Sequence, residues 1–218
     1  MFKIDLHVHT SLGGDSLIEP RDLVSLARLA GLDGVCVTEH HSFFLSAPLE
    51  EISVATGFPI VRALEYHAAE GHLLVYGIQA GPSDLPRNLP MQQAVDWVNG
   101  RGGVAVPAHP YQRDLLGGSL GDRVLGLAGL MALETVNGSL SVEQNQRATE
   151  AASWLGVHGV GGSDAHGPPT LGRAYTAFPS SVATGEELIA ALRAGGYAAC
   201  WNSGQGGWPT LALKVREA

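Results

Sequence analysis

The sequence predicts an α/β fold: a mainly parallel set of strands, with helices between them, closed into a barrel. Three observations predict it. Short apolar runs bounded by turn residues alternate with amphipathic segments along the chain, the pattern of successive βα units. About seven such units fit the 218 residues, which suits a closed barrel better than an open sheet. Glycine, at 29 residues, gathers at the ends of these segments, where tight turns and close backbone approach call for it.

The elements follow in order. Residues 2–9 read as a strand with Ile4, Leu6 and Val8 on one face and Asp5, His7 and His9 on the other. A helix opens at Glu19-Pro20-Arg21-Asp22 and stops at Gly31, with proline in its first turn. Residues 33–38 form the second strand, and a helix over 48–56 ends at Gly57. Strands 59–66 and 72–78 lie close together, so Ala68-Ala69-Glu70-Gly71 reads as a hairpin or a tight turn and not as a βα unit. A helix covers 90–100, with Ala94, Val95, Trp97 and Val98 on its apolar side, and a buried strand covers 103–108. The glycine-rich stretch 111–128 supports at most one weak helix. Strand 130–135, helix 141–155, strand 157–162, strand 174–178, helix 185–194 and strand 197–201 complete the order, and 209–216 is an expected edge strand.

Nothing divides the chain: no charge block, low-complexity tract or Ser/Pro linker appears, and residues 1–218 read as one domain. The net charge of −8 argues against a nucleic-acid backbone or an anionic membrane as the main partner. It leaves room for a small phosphorylated ligand, because bound metal ions would make a site locally positive. Cys36 lies in an apolar run and reads as a core thiol. No signal-like segment precedes the first strand and no run of about 18 apolar residues occurs, so the expected location is the cytoplasm.

The histidines carry the functional signal. Six of the nine (His7, His9, His40, His72, His109, His166) fall within or at the end of apolar runs that read as strands. Glu39, Glu65, Glu134 and Asp164 occupy similar places. Ionisable groups at strand ends converge at one end of a parallel sheet or barrel, where α/β proteins place their sites. Two imidazoles on one strand face can share a metal ion, and a nearby carboxylate such as Asp5 can fix a ring tautomer.

Asp5-Leu6-His7-Val8-His9-Thr10, Thr38-Glu39-His40-His41, the isolated Glu65, Ala108-His109-Pro110 and Gly162-Ser163-Asp164-Ala165-His166 occur in the order, and at about the spacing, of the polymerase and histidinol phosphatase (PHP) family. The chain resembles that family over residues 5–166. The resemblance implies a distorted seven-stranded (β/α) barrel with two or three divalent ions at the strand ends, and phosphoesterase activity. Carried over residue by residue, it implies a first metal on His7, His9, Glu65 and Asp164, with Glu65 bridging to a second on His72 and His109. A third would use Asp15, His40 and His166. Imidazole and carboxylate donors suit Mn²⁺, Zn²⁺ or Fe²⁺, and the lack of cysteine in the motifs argues against a thiolate zinc site.

Some positions stay open. Asp15 sits on Leu12-Gly13-Gly14-Asp15-Ser16, where it could equally be a turn residue. His67 shares strand parity with Glu65 and competes with His72, which the family pattern favours. His41 reads as an acid, a substrate contact or a surface residue, and Glu134 as a site-facing or a structural acid. Phe43-Phe44-Leu45 is a lid, an oligomer contact or a loop over the core, the last favoured. For the phosphate clamp, Arg113 is the first choice and Arg173 the second, since the guanidinium fork matches phosphate geometry. The expected reaction is hydrolysis of a small phosphomonoester by a hydroxide held between two metals, with Glu65, Asp164 and His41 as catalytic residues. The alternatives are a phosphodiesterase or exonuclease on short oligonucleotides and a non-catalytic metal-binding scaffold.

Overall fold

The structure, a computed structural model, describes residues 1–113 and 119–202. Its strands are β1 (Phe2–Val8), β2 (Gly34–Val37), β3 (Ile60–Arg62), β4 (Leu64–Ala68), β5 (Gly71–Tyr76), β6 (Val104–Pro107), β7 (Ala132–Asn137), β8 (His158–Gly162), β9 (Ala174–Phe178) and β10 (Ala198–Trp201). Its α-helices are α1 (Pro20–Leu29), α2 (Pro48–Thr56), α3 (Met91–Asn99), α4 (Val142–Leu155) and α5 (Gly185–Ala194). Local chemistry sets the helix ends. Pro20 opens α1, Gly57 closes α2 at φ 64°, and Ser141 with Gln144 forms a reciprocal capping box on α4. The stretch 111–128 contributes a 3-10 turn over Gly121–Gly126. The expected edge strand at 209–216 lies outside the described residues.

Strand pairing departs from the expected closed, mainly parallel barrel. Among the described residues the strands form three sheets, ordered β10-β9-β1-β2-β3, β4-β5-β6 and β7-β8. Pairs β1–β2, β2–β3 and β7–β8 are parallel, whereas β1–β9, β9–β10, β4–β5 and β5–β6 are antiparallel. Connection length explains part of the difference. Parallel neighbours need a crossover of roughly a dozen residues or more. The β4–β5 turn is only Ala69-Glu70, so that pair can only be a hairpin. Short bridges join the sheets: Asp164 N donates to His7 O at 2.8 Å, His9 N to Ala165 O at 3.1 Å and Glu65 N to Glu39 O at 3.1 Å.

The strands are covered on both faces. Ile4, Leu6, Cys36, Leu74, Tyr76 and Val160 pack into one core, with the Cys36 thiol buried there as expected. Val8, Val35 and Val37 pack outward with Leu23 and Ala27 of α1 and Leu49 of α2. Tyr66, Leu73 and Val75 meet α3 and α4 through Ala94, Val98 and Ala148. Each fully buried large side chain contributes on the order of 1.5–3 kcal/mol, which holds the strand ends rigid enough to carry a site. Phe43 is buried beneath the Arg62 guanidinium, while Phe44 and Leu45 are exposed, so only the first residue of that trio folds onto the core. No helix among the described residues is long and apolar enough to cross a membrane.

Candidate metal centre

β1 delivers His7 and His9 to the centre, but not with the simple alternation expected. Its register against β2 shifts between Asp5 and Val8, and Val8 leaves the core that Ile4 and Leu6 share. Asp5 is therefore not the tautomer partner of the histidines. Its buried carboxylate accepts from the backbone N–H of Ser163 (2.7 Å), Gly172 (3.0 Å) and His7 (3.3 Å). Burial pushes Asp5 up to about 6 in spite of these bonds. β8 comes up against β1 because Gly162 has no side chain: a Cβ there would stand 2.4 Å from the His7 Cβ.

Three groups of donors converge. In the first, His7 Nε2 and His9 Nε2 face each other at 3.1 Å. Glu65 Oε2 lies 3.3 and 3.2 Å from them, and Asp164 Oδ1 lies 3.4 and 3.5 Å away. In the second, Glu65 Oε1 is 2.7 Å from His72 Nδ1 and 3.0 Å from His109 Nε2. In the third, Asp15 Oδ2 is 3.0 Å from His40 Nε2 and 3.7 Å from His166 Nε2, with His9 alongside. His7, His9 and Glu65 are buried, whereas the third group is partly open to solvent.

Of the two candidates on the hairpin, His72 reaches Glu65. His67 stacks on His72 at 3.9 Å, and its Nε2 is buried without a partner. His41 sits beside them, its ring edge-on to His67 at 4.3 Å and its backbone N–H on Glu65 O. Arg113 lines the adjoining cavity, while the Arg173 backbone anchors the end of β10 through Asn202.

Glu134, which the sequence left open, is the organiser. His7 Nδ1 lies 2.9 Å from Glu134 Oε1. A carboxylate only accepts, so a proton is held on Nδ1, and Nε2, facing the centre, is the atom that would give up its proton to bind a metal ion. Glu134 Oε2 accepts from His109 N at 2.6 Å and from Asn137 Nδ2 at 3.0 Å, and Asn137 Nδ2 also reaches Asp164 Oδ2 at 3.4 Å. One carboxylate thus ties together ligand positions from three strand ends. The positive-φ residues tell the same story. Among the described residues the non-glycine ones are His41 (65°), Asn88 (63°), His109 (28°) and Asp164 (53°), all at the centre or on the adjoining cavity. Strain of this kind, of order 1–3 kcal/mol per residue, collects where a site imposes it.

The electrostatics fit a cation. Burial alone would lower His7, but Asp164, Glu134 and Glu65 outweigh it and raise the ring well above its ordinary value. Burial is likewise overcome at His9, which bonds to Asp164 and Glu65 push up to about 9. Burial would raise Glu65 and Asp164, yet the positive His7 beside them holds both well down. The carboxylates thus demand positive charge, and without a metal, protons on the imidazoles supply it. Burial lowers His40 to about 4 against the pull of Glu65, and with its histidine neighbours lowers His67 to about 3. His40 Nδ1 stands 3.1 Å from Glu65 Oε2 without hydrogen-bond geometry, and His9 Nδ1 is also buried without a hydrogen-bond partner. Convergent, unpaired nitrogens with carboxylate oxygens are a donor set for a divalent transition ion.

Known proteins resemble this chain in sequence and fold. The PHP domain family matches residues 5–112, and the PHP-associated family matches residues 142–197. The chain belongs to the PHP domain family. An uncharacterised protein of Methanocaldococcus jannaschii is 27% identical over 135 residues, 57% of this chain and 76% of its own length. A 3',5'-nucleoside bisphosphate phosphatase of Chromobacterium violaceum is 35% identical over 86 residues, 38% of this chain and 30% of that relative. A solved two-domain protein of Bacteroides vulgatus, described as containing a predicted PHP-like metal-dependent phosphoesterase, shares the fold. Its TM-score is 0.73 at 18% identity, covering 92% of this chain and 64% of that one.

Proposed function

We propose that this chain is a metal-dependent phosphoesterase acting on small phosphomonoesters such as a nucleotide, a sugar phosphate or histidinol phosphate. The observation that carries the reading is Glu65. Its two oxygens face two separate histidine groups, as a carboxylate shared by two ions about 3.5–4 Å apart must. Family membership and the partial match to a named phosphatase support the reaction class. His7, His9, Glu65 and Asp164 would hold one ion, and Glu65, His72 and His109 a second. Asp15, His40 and His166 would hold a third, the ions being Mn²⁺, Zn²⁺ or Fe²⁺. Such ions neutralise phosphate charge and acidify bound water toward pH 7. The bridges from Val8 to Ala165, just past β8, and from His40, just past β2, to Glu65 of β4 support reading the three sheets as arcs of one distorted seven-stranded ring.

The chain's own residues do the positioning. Glu134 fixes the His7 tautomer and the His109 backbone, so the donors are set before substrate arrives. Burial, with Arg87 and His72 nearby, lowers His41, so its neutral ring suits a hydrogen bond to a substrate oxygen. Arg113 offers a cationic fork on the cavity wall. The test is phosphate release from a panel of phosphomonoesters by protein reconstituted with Mn²⁺, Zn²⁺ or Fe²⁺, with Glu65→Gln as the blank. Removing the shared charge should cost about a thousand-fold or more in turnover. Near-native turnover in Glu65→Gln would break the shared-carboxylate reading. No release from folded, metal-loaded protein would break the phosphatase reading.

A further inference from the structure

We infer that the substrate carries a second anionic group, a phosphate or carboxylate apart from the scissile phosphate, bound by Arg113 and Arg123. The inference rests on the phosphoesterase reading and narrows its substrate class. A cavity of about 600 Å³ adjoins the centre, lined by His67, His72 and His109 together with Gln112, Arg113 and Arg123. That volume is several times what a phosphate group fills and lies in the range of whole small-ligand sites. A phosphate at Glu65, His72 and His109 would have metal ions as its cationic partners, which leaves two guanidinium groups for something else.

Neither arginine has a carboxylate partner among the described residues. Glu70 is the one carboxylate among the described residues lining the cavity, and its Oε2 is turned onto the backbone N–H of Met91 at 2.7 Å. Asp122, next to Arg123 in sequence, is engaged by Tyr111 Oη at 3.0 Å and Arg147 Nη2 at 3.3 Å. Arg123 is held by backbone carbonyls instead: Nε donates to Leu120 O at 3.1 Å, and Nη2 donates to Ser119 O. Those bonds fix the guanidinium in place and leave further N–H groups for an anion. Arg113 is exposed and has no carboxylate partner among the described residues. In a chain of net charge −8, two arginines on one cavity with no carboxylate partner among the described residues call for an anion.

The experiment measures binding and turnover separately. Non-hydrolysable phosphonate analogues with one or two anionic groups, the second a phosphonate or a carboxylate, are titrated calorimetrically into metal-reconstituted protein. The matching mono- and bisphosphate esters are assayed for phosphate release. Doubly anionic ligands should bind about ten-fold tighter or more, one charge-assisted pair being enough for that. In Arg113→Ala/Arg123→Ala the preference should shrink to about two-fold, and Arg113→Ala alone, at an exposed position, should remove part of it. Equal binding of the two ligand classes by the unmodified protein, or a preference that survives in the double variant, overturns the inference. A binding preference with no phosphate release from any ester upholds the inference and overturns the reaction assigned to the site.

Discussion

Two cavities open at opposite ends of β5, and their charged groups behave in opposite ways. The larger, about 830 Å³, lies past the end of β5 at Gly77 and is lined by Arg62, Arg193, Glu50 and Glu186. Arg62, its half-buried arginine, is satisfied within the fold. Arg62 pairs with Glu50 at 2.8 Å, donates to Ser46 Oγ at 3.2 Å and lies over the Phe43 ring at 4.2 Å, while Arg193 donates to Gly102 O at 2.7 Å. The smaller cavity starts at Gly71 and His72, where His67 Nε2 is buried without a partner and the arginines have no carboxylate partner among the described residues. Volume alone would choose the cavity away from the histidine cluster. Unmet polar demand distinguishes a site, because a fold otherwise satisfies its buried polar groups.

The sharpest way to test that contrast is Glu134→Gln. The amide keeps the size but must turn a donor toward either His7 Nδ1 or the His109 N–H, so one of them loses its acceptor. Metal affinity should fall about 10- to 100-fold, with an altered visible spectrum in the Co²⁺-substituted protein. An unchanged affinity and spectrum would reduce Glu134 to a structural acid. A smaller effect is expected from pH. Asp164 and Glu65 push His9 up to about 9 against its burial, and His7 is also held well above its ordinary value, so at pH 7 a metal ion must displace protons. Affinity should drop about ten-fold or more from pH 8 to pH 7, and the binding heat should vary with the ionisation enthalpy of the buffer. A flat pH profile would contradict protonated histidines in the metal-free protein. Least affected should be the other cavity. Arg62→Ala should cost about 1–2 kcal/mol in denaturant unfolding and leave metal affinity within about two-fold. A large loss of affinity would show that the two ends of β5 are coupled.

Much of the centre was legible in the sequence because its donors sit at strand ends, where apolar runs stop and histidine or carboxylate begins. Helix limits were legible too, since Pro20, Gly57 and Ser141 mark them chemically. What could not be read depends on neighbours across the fold. The Asp5 carboxylate left the histidine face because β1 changes register, and a strand pattern carries no sign of that. Glu134 gained its role from a ring 127 residues away. Arg123 lies in a glycine-rich stretch without periodicity, so nothing local distinguished it from a surface cation. The mainly parallel pairing failed as an expectation because βα alternation reveals element order but not which strand returns beside which.

The left-handed backbone at His41, Asn88, His109 and Asp164 also bears on how this centre can drift over evolutionary time. Outside glycine, that conformation is tolerated best by asparagine, aspartate and histidine. At His109 and Asp164 the backbone therefore admits the same residue types that can serve as donors. A change to glutamate or cysteine would meet two penalties, one from the conformation and one from the altered reach of the donor. Exchanges among histidine, aspartate and asparagine would meet only the second. Diversification is thus channelled toward the cavity wall at Arg113 and Arg123, where the backbone imposes no such filter and a new ligand preference can arise while the donors stay fixed.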